Sequence, residues 1–66
     1  MRLSPERRAF FRGMLAALAV VALHDQETLY REIIATDDEI ALVYVARQEE
    51  LLESAGLIKY GYAQSA

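Results

Sequence analysis

The chain has no cysteine and no tryptophan, and only one proline, one histidine and three glycines in 66 residues. Without cysteine, neither a disulfide framework nor a thiolate metal site can hold a small fold together. The glycines, Gly13, Gly56 and Gly61, are scattered, which excludes a glycine-rich phosphate loop. The serines, Ser4, Ser54 and Ser65, fall near element ends, and His24 is the lone imidazole. A nucleophile, base and orienter held together therefore have no source, and no enzymatic activity and no cofactor are expected. The apolar run Met14–Leu23 is ten residues long, well short of the ~20 that a membrane-spanning helix needs.

What is present is greasy for its size. Hydrophobic residues make up 55% and charged residues 26%. The charged fraction and apolar content place the chain outside the disordered class. A monomer this small buries only about 60% of its unfolded surface, so a helical dimer is the natural way to hide so much apolar material. Net charge is -3, which argues against general nucleic-acid binding. Residues 1–12 carry Arg2, Arg7, Arg8 and Arg12 against Glu6, a net of +3, and residues 13–66 carry -6. Such a basic end and acidic body can steer a partner, although ordinary solvated surfaces also vary in sign.

Residues 1–24 have the outline of a secretory leader. Arg7-Arg8-Ala9-Phe10-Phe11-Arg12 precedes the apolar run, and Ala17-Leu18-Ala19 has the small-residue pattern of a cleavage site. Against this, the pattern past Leu23 continues at helical spacing, so the segment reads as part of the fold. A membrane-surface helix is a related option, weakened by the alanines that dilute its apolar face.

Ser4-Pro5-Glu6 is a helix start: a capping hydroxyl, a proline suited to the first turn, and an acid at the positive end of the dipole. Apolar residues then recur at Phe11, Leu15, Leu18, Ala22, Leu29 and Ile33, in steps of 4, 3, 4, 7 and 4. The seven-residue step crosses Asp25-Gln26. The spacing predicts one long helix over about 5–35, bent near His24-Asp25. Thr36-Asp37-Asp38-Glu39 fits a capping box, with Thr36 as the cap and Glu39 reaching back. A second helix is expected over about 37–55, with Gly56 closing it in a left-handed conformation and an aromatic tail over 57–66. With no loop between them the two helices must fold back as an antiparallel hairpin.

The run Ile40-Ala41-Leu42-Val43-Tyr44-Val45-Ala46 is apolar on every side. Taken alone it would suit a buried strand; the acidic cap before it and the helix formers after it favour a helix. A hairpin covers only one face of each helix, and each exposed side chain forgoes on the order of 1.5–3 kcal/mol of burial. The expected architecture is therefore a single all-α helical-hairpin domain over 1–66, forming a homodimeric four-helix bundle, with Leu18, Leu42, Val43 and Val45 at the dimer interface.

His24, Asp25 and Glu27 lack the spacing of a metal cluster, and Asp37-Asp38-Glu39 is accounted for by helix capping, so no metal is expected. Protein recognition has better support. Tyrosine and arginine dominate binding hot spots, and Tyr44, Arg47, Leu51, Tyr60 and Tyr62 are the candidate partner-binding residues. The alternative is a small nucleic-acid-binding regulator using the arginine-rich N-terminal end with Phe10 and Phe11 interleaved.

In length, acidity and its helix–tight turn–helix plan through Thr36-Asp37-Asp38-Glu39-Ile40, the chain resembles small early proteins of transposable bacteriophages. The likeness is nearest to the quorum-sensing anti-activators of Pseudomonas phages. It spans most of the chain but rests on no diagnostic motif, and no binding residue is carried over from it. It implies a compact helical dimer in the host cytoplasm that binds a LuxR-type transcription activator of the host, with the type IV pilus assembly ATPase as a second target. In that picture inhibition is steric, and neither membrane nor nucleic acid is the partner.

Overall fold

The computed structural model describes residues 2–65. These form three helices, α1 (Pro5–Leu23), α2 (Glu27–Ile34) and α3 (Glu39–Gln48), with no strand among the described residues. α1 starts as its sequence demands. The Ser4 hydroxyl oxygen accepts a hydrogen bond from the Arg7 amide at 3.1 Å, and Pro5 opens the first turn.

The long first helix expected over 5–35 is instead two helices. Asp25 takes φ 55, its N–H bonds to the Ala22 carbonyl at 3.1 Å, and the Gln26 N–H bonds to the Val21 carbonyl at 3.3 Å. This is the paired closure by which a left-handed residue ends a helix. Aspartate tolerates that conformation better than most residues. Lys59 fixes it further by donating both to the Asp25 carboxylate and, at 3.0 Å, to the Ala22 carbonyl. That puts a cation at the negative end of α1. The break also shifts the helical phase. Tyr30 and Ile34 face the core of α2, whereas Leu29, on the stripe an unbroken helix would bury, is 46% exposed and Ile33 is half-buried.

The capping box expected from Thr36 and Glu39 does not form, and a single aspartate cap takes its place. The Thr36 hydroxyl donates to the Ile33 carbonyl at 2.6 Å and so belongs to the turn that closes α2. Asp38 is the cap of α3, its carboxylate accepting from the Ala41 amide at 3.1 Å. α3 then stops at Gln48, seven residues before the expected end near 55. Glu50 takes φ 59, and the Leu51 N–H bonds to the Ala46 carbonyl at 2.7 Å. Gly56 does take the left-handed conformation, at φ 82, but it closes a single turn of the tail, with the Leu57 N–H on the Leu52 carbonyl at 3.0 Å. Gly61 repeats the device, with the Tyr62 N–H on the Leu57 carbonyl at 2.8 Å. A straight helix to 55 would carry Ala55 and Leu57 away from the body. Early termination winds them back, and both are buried.

Tyr30 is the centre of that core and is 0% exposed. Around it lie Phe11, Leu15 and Leu18 of α1, Leu42 and Val45 of α3, and Leu57 of the tail. The Tyr30 hydroxyl donates to the Ala55 carbonyl, and the tail backbone presses in behind it. A Cβ on Gly56 would lie 2.7 Å from the Ala22 Cβ. The Cα radius of gyration is 10.8 Å, close to that of other folded chains of this length.

α1 and the wound tail together cover the inward side of α3. Leu18, Leu42 and Val45 are fully buried inside one chain, and Val43 is half-buried. The burial that the sequence assigned to a second copy is thus largely supplied within the chain, by the packing of α1, α3 and the tail on one another. No helix among the described residues is long and apolar enough to cross a membrane.

Candidate functional site

The apolar run of α3 has two faces. Ala41, Leu42, Val45 and Ala46 point into the core. Ile40, Val43, Tyr44 and Arg47 share the opposite face at i, i+3, i+4 and i+7, the spacing of one helix stripe. They line an open hollow of about 300 Å³ with Glu39 at one end and Tyr62 as its far wall. Ile40 is 73% exposed, unusual for a large aliphatic residue in so small a protein.

The left-handed turn at Gly61 delivers Tyr62 to this place, and Arg31 holds it there. The Arg31 guanidinium lies 5.2 Å from the centre of the Tyr62 ring and donates to the Tyr60 carbonyl at 3.0 Å and to Glu27 at 2.9 Å. α2 thus anchors the tail against α3.

Of the five candidate binding residues, Tyr44, Arg47 and Tyr62 come together on this hollow. Tyr60 does not join them. Its ring packs on Tyr30 with centres 4.6 Å apart, and its hydroxyl is buried without a hydrogen-bond partner. Leu51 is half-buried and packs on the core behind the hollow. Ile40 and Glu39 complete the site and were not singled out from the sequence. The signal for Ile40 was there: an all-round apolar run on a surface helix has an outer stripe as well as an inner one.

Three arginines of the N-terminal end, Arg7, Arg8 and Arg12, pair within the fold. Arg7 Nη2 lies 2.8 Å from Asp37 Oδ1, and Arg8 and Arg12 approach the two oxygens of Glu49 at 3.5 and 4.0 Å. These pairs tie the first turns of α1 to both ends of α3. The Arg7 guanidinium also stacks 4.5 Å from the centre of the Phe11 ring. Phe11 is in the core and Phe10 is half exposed, so the two do not form an aromatic platform.

The titratable groups follow the same logic. The Arg7 hydrogen bond, with help from the Asp38 amide, holds the Asp37 carboxyl below the usual range. Lys59 does the same for Asp25. Burial pushes the Tyr30 phenol up, and the neighbouring tyrosines add to it. His24 closes α1 and is exposed. Among the described residues no three histidine, aspartate or glutamate side chains gather as a metal site. Comparison with protein families, with curated proteins and with solved structures finds no match to this chain.

Proposed function

We propose that this chain is a small non-enzymatic phage protein that binds and inhibits a bacterial host's regulatory protein. The target is a LuxR-type quorum-sensing transcription activator, with the type IV pilus assembly ATPase as a second one. The observation that carries protein recognition is the hollow on α3. It brings two tyrosines, an arginine and an exposed isoleucine to one concave place, the composition that dominates binding hot spots. The identity of the target comes from the likeness to the anti-activators. Inhibition is steric: the bound protein occupies a surface the activator needs for its operator. The test is to mix the purified protein with a LuxR-type activator. Co-elution and loss of operator binding are expected; independent elution with full operator binding refutes the proposal.

The proposal includes a homodimer. With Leu18, Leu42 and Val45 used inside the chain, its seam lies on the outer face of α1. Ala9, Gly13, Ala16, Val20 and Leu23 recur there in steps of four and three, and all are exposed. Antiparallel pairing sets the helix dipoles head to tail. Sedimentation should show a dimer that Val20→Glu dissociates, and a wild-type monomer at every concentration removes this part. The nucleic-acid alternative has less free charge to draw on than the sequence suggests, since Arg7, Arg8 and Arg12 already face carboxylates.

A further inference from the structure

The hollow on α3 continues past Arg47. Arg47 also lines a second, larger hollow of about 560 Å³, with apolar walls from Leu52 and Ile58 and with Glu50 and Glu53 on its rim. The two hollows adjoin at Arg47, Ile40 and Tyr44 lining the first and Ile58 the second, and are together called the α3 channel. From Glu39 to Arg47, α3 supplies about 12 Å of its length, just over two turns of a helix laid alongside.

Carboxylates without an ion pair gather at the channel. Asp25, Glu27, Asp37 and Glu49 each face a lysine or arginine of the same chain. Glu6, Glu32, Asp38, Glu39, Glu50 and Glu53 have no ion pair among the described residues, and three of the six, Glu39, Glu50 and Glu53, line the channel. Arg47, at the junction, is the one base lining it. The channel is therefore an apolar floor between carboxylates.

We infer that this channel takes an amphipathic helix of the partner protein whose apolar stripe is flanked by lysine and arginine. This rests on the protein-recognition reading of the same face and adds the chemistry of what is recognised. The stripe lies on Ile40, Tyr44 and Ile58, as in other helix-in-groove complexes, and the flanking bases meet the three glutamates. An acidic helix meets uncompensated like charge and is rejected.

Glu50 supplies a clean test. It stands in a left-handed conformation for which the chain uses glycine at positions 56 and 61. Glu50→Gly removes the carboxylate while relieving the backbone, so binding and folding should move apart. The probe is a fluorescent synthetic helix of about 18 residues with leucines at i, i+3, i+4 and i+7 and lysines on the flanks. A second peptide carries glutamate in place of every lysine. Anisotropy titration should show the lysine peptide binding at least about tenfold more tightly than the glutamate peptide. Glu50→Gly combined with Glu53→Gln should weaken the lysine peptide by about tenfold without lowering the melting temperature, and added salt should weaken it too. Equal binding of the two peptides, binding of neither by the folded protein, or no change in the double variant overturns the inference. Activator co-elution reads recognition separately. Co-elution without a preference for the lysine peptide discards the basic helix and keeps recognition, and the converse keeps the channel and discards the activator.

Discussion

Replacing Gly56 with alanine should come close to unfolding the protein. Two effects add. Gly56 sits at φ +82, where an L-residue is disfavoured by about 1–2 kcal/mol. The new Cβ would also lie 2.7 Å from the Ala22 Cβ, well inside carbon contact distance. Its next neighbours, Cε2 and the hydroxyl of Tyr30, are at 3.2 and 3.3 Å, and Tyr30 is held by its bond to the Ala55 carbonyl. With neither neighbour free to move, overpacking adds about 1–3 kcal/mol, for a total of about 2–5 kcal/mol. A domain of this length has on the order of 3–10 kcal/mol in all. Gly61→Ala is the internal control. Gly61 also has φ +82, but nothing lies within 4 Å of where its Cβ would stand, so only the conformational part applies. Urea unfolding followed by circular dichroism gives both differences. Ala22→Gly in the Gly56→Ala background should restore part of the loss. The reasoning fails if Gly56→Ala and Gly61→Ala cost the same, or if Gly56→Ala stays within about 0.5 kcal/mol of wild type.

Other expectations follow from the same geometry. Asp38→Ala should cost about 0.5–2 kcal/mol by thermal or urea unfolding, whereas Thr36→Ala should cost clearly less, because Asp38 is the cap. Ile34→Ala should cost about 2–5 kcal/mol and Leu29→Ala under about 1, the reverse of what an unbroken first helix would give. Acid should destabilise the fold through Asp25 and Asp37. Their carboxyls are held below the usual value in the folded chain, so their contribution is full above about pH 3.9 and is lost as pH falls through the lowered values. Melting temperature against pH checks this, and Asp37→Asn should flatten the acid limb.

How much of this was legible in the sequence varied with the range of the interaction responsible. The start of α1 was readable because Ser4, Pro5 and Glu6 act on their own backbone. The inward stripe Phe11, Leu15, Leu18 and Ala22 was readable because one helix phase holds across it. The break at Asp25 was visible only as a polar interruption. The left-handed closure at Asp25 that turns a bend into a termination is held in part by Lys59, thirty-four residues away, reaching both the Asp25 carboxylate and the Ala22 carbonyl. Once the phase slipped there, Leu29 and Ile33 gave way to Tyr30 and Ile34. The early stop of α3 was hidden for a related reason. Arg47 through Glu53 are mostly good helix formers, and a left-handed glutamate is not a sequence signal. Burial of Ala55 and Leu57 on Tyr30 is the force that makes it. Of the candidate binding residues picked by type, Tyr44, Arg47 and Tyr62 line one hollow. Tyr60 packs on Tyr30 instead, a neighbour across the fold that cannot be seen from the tail.

The claim that most depends on the fold is that recognition uses the α3 channel. Isotope-labelled protein titrated with a LuxR-type activator, with amide signals followed by NMR, tests it directly. The account predicts signal loss concentrated over residues 39–47, 50–53, 58 and 62. Loss confined to the first turns of α1, or an unchanged spectrum, would contradict it.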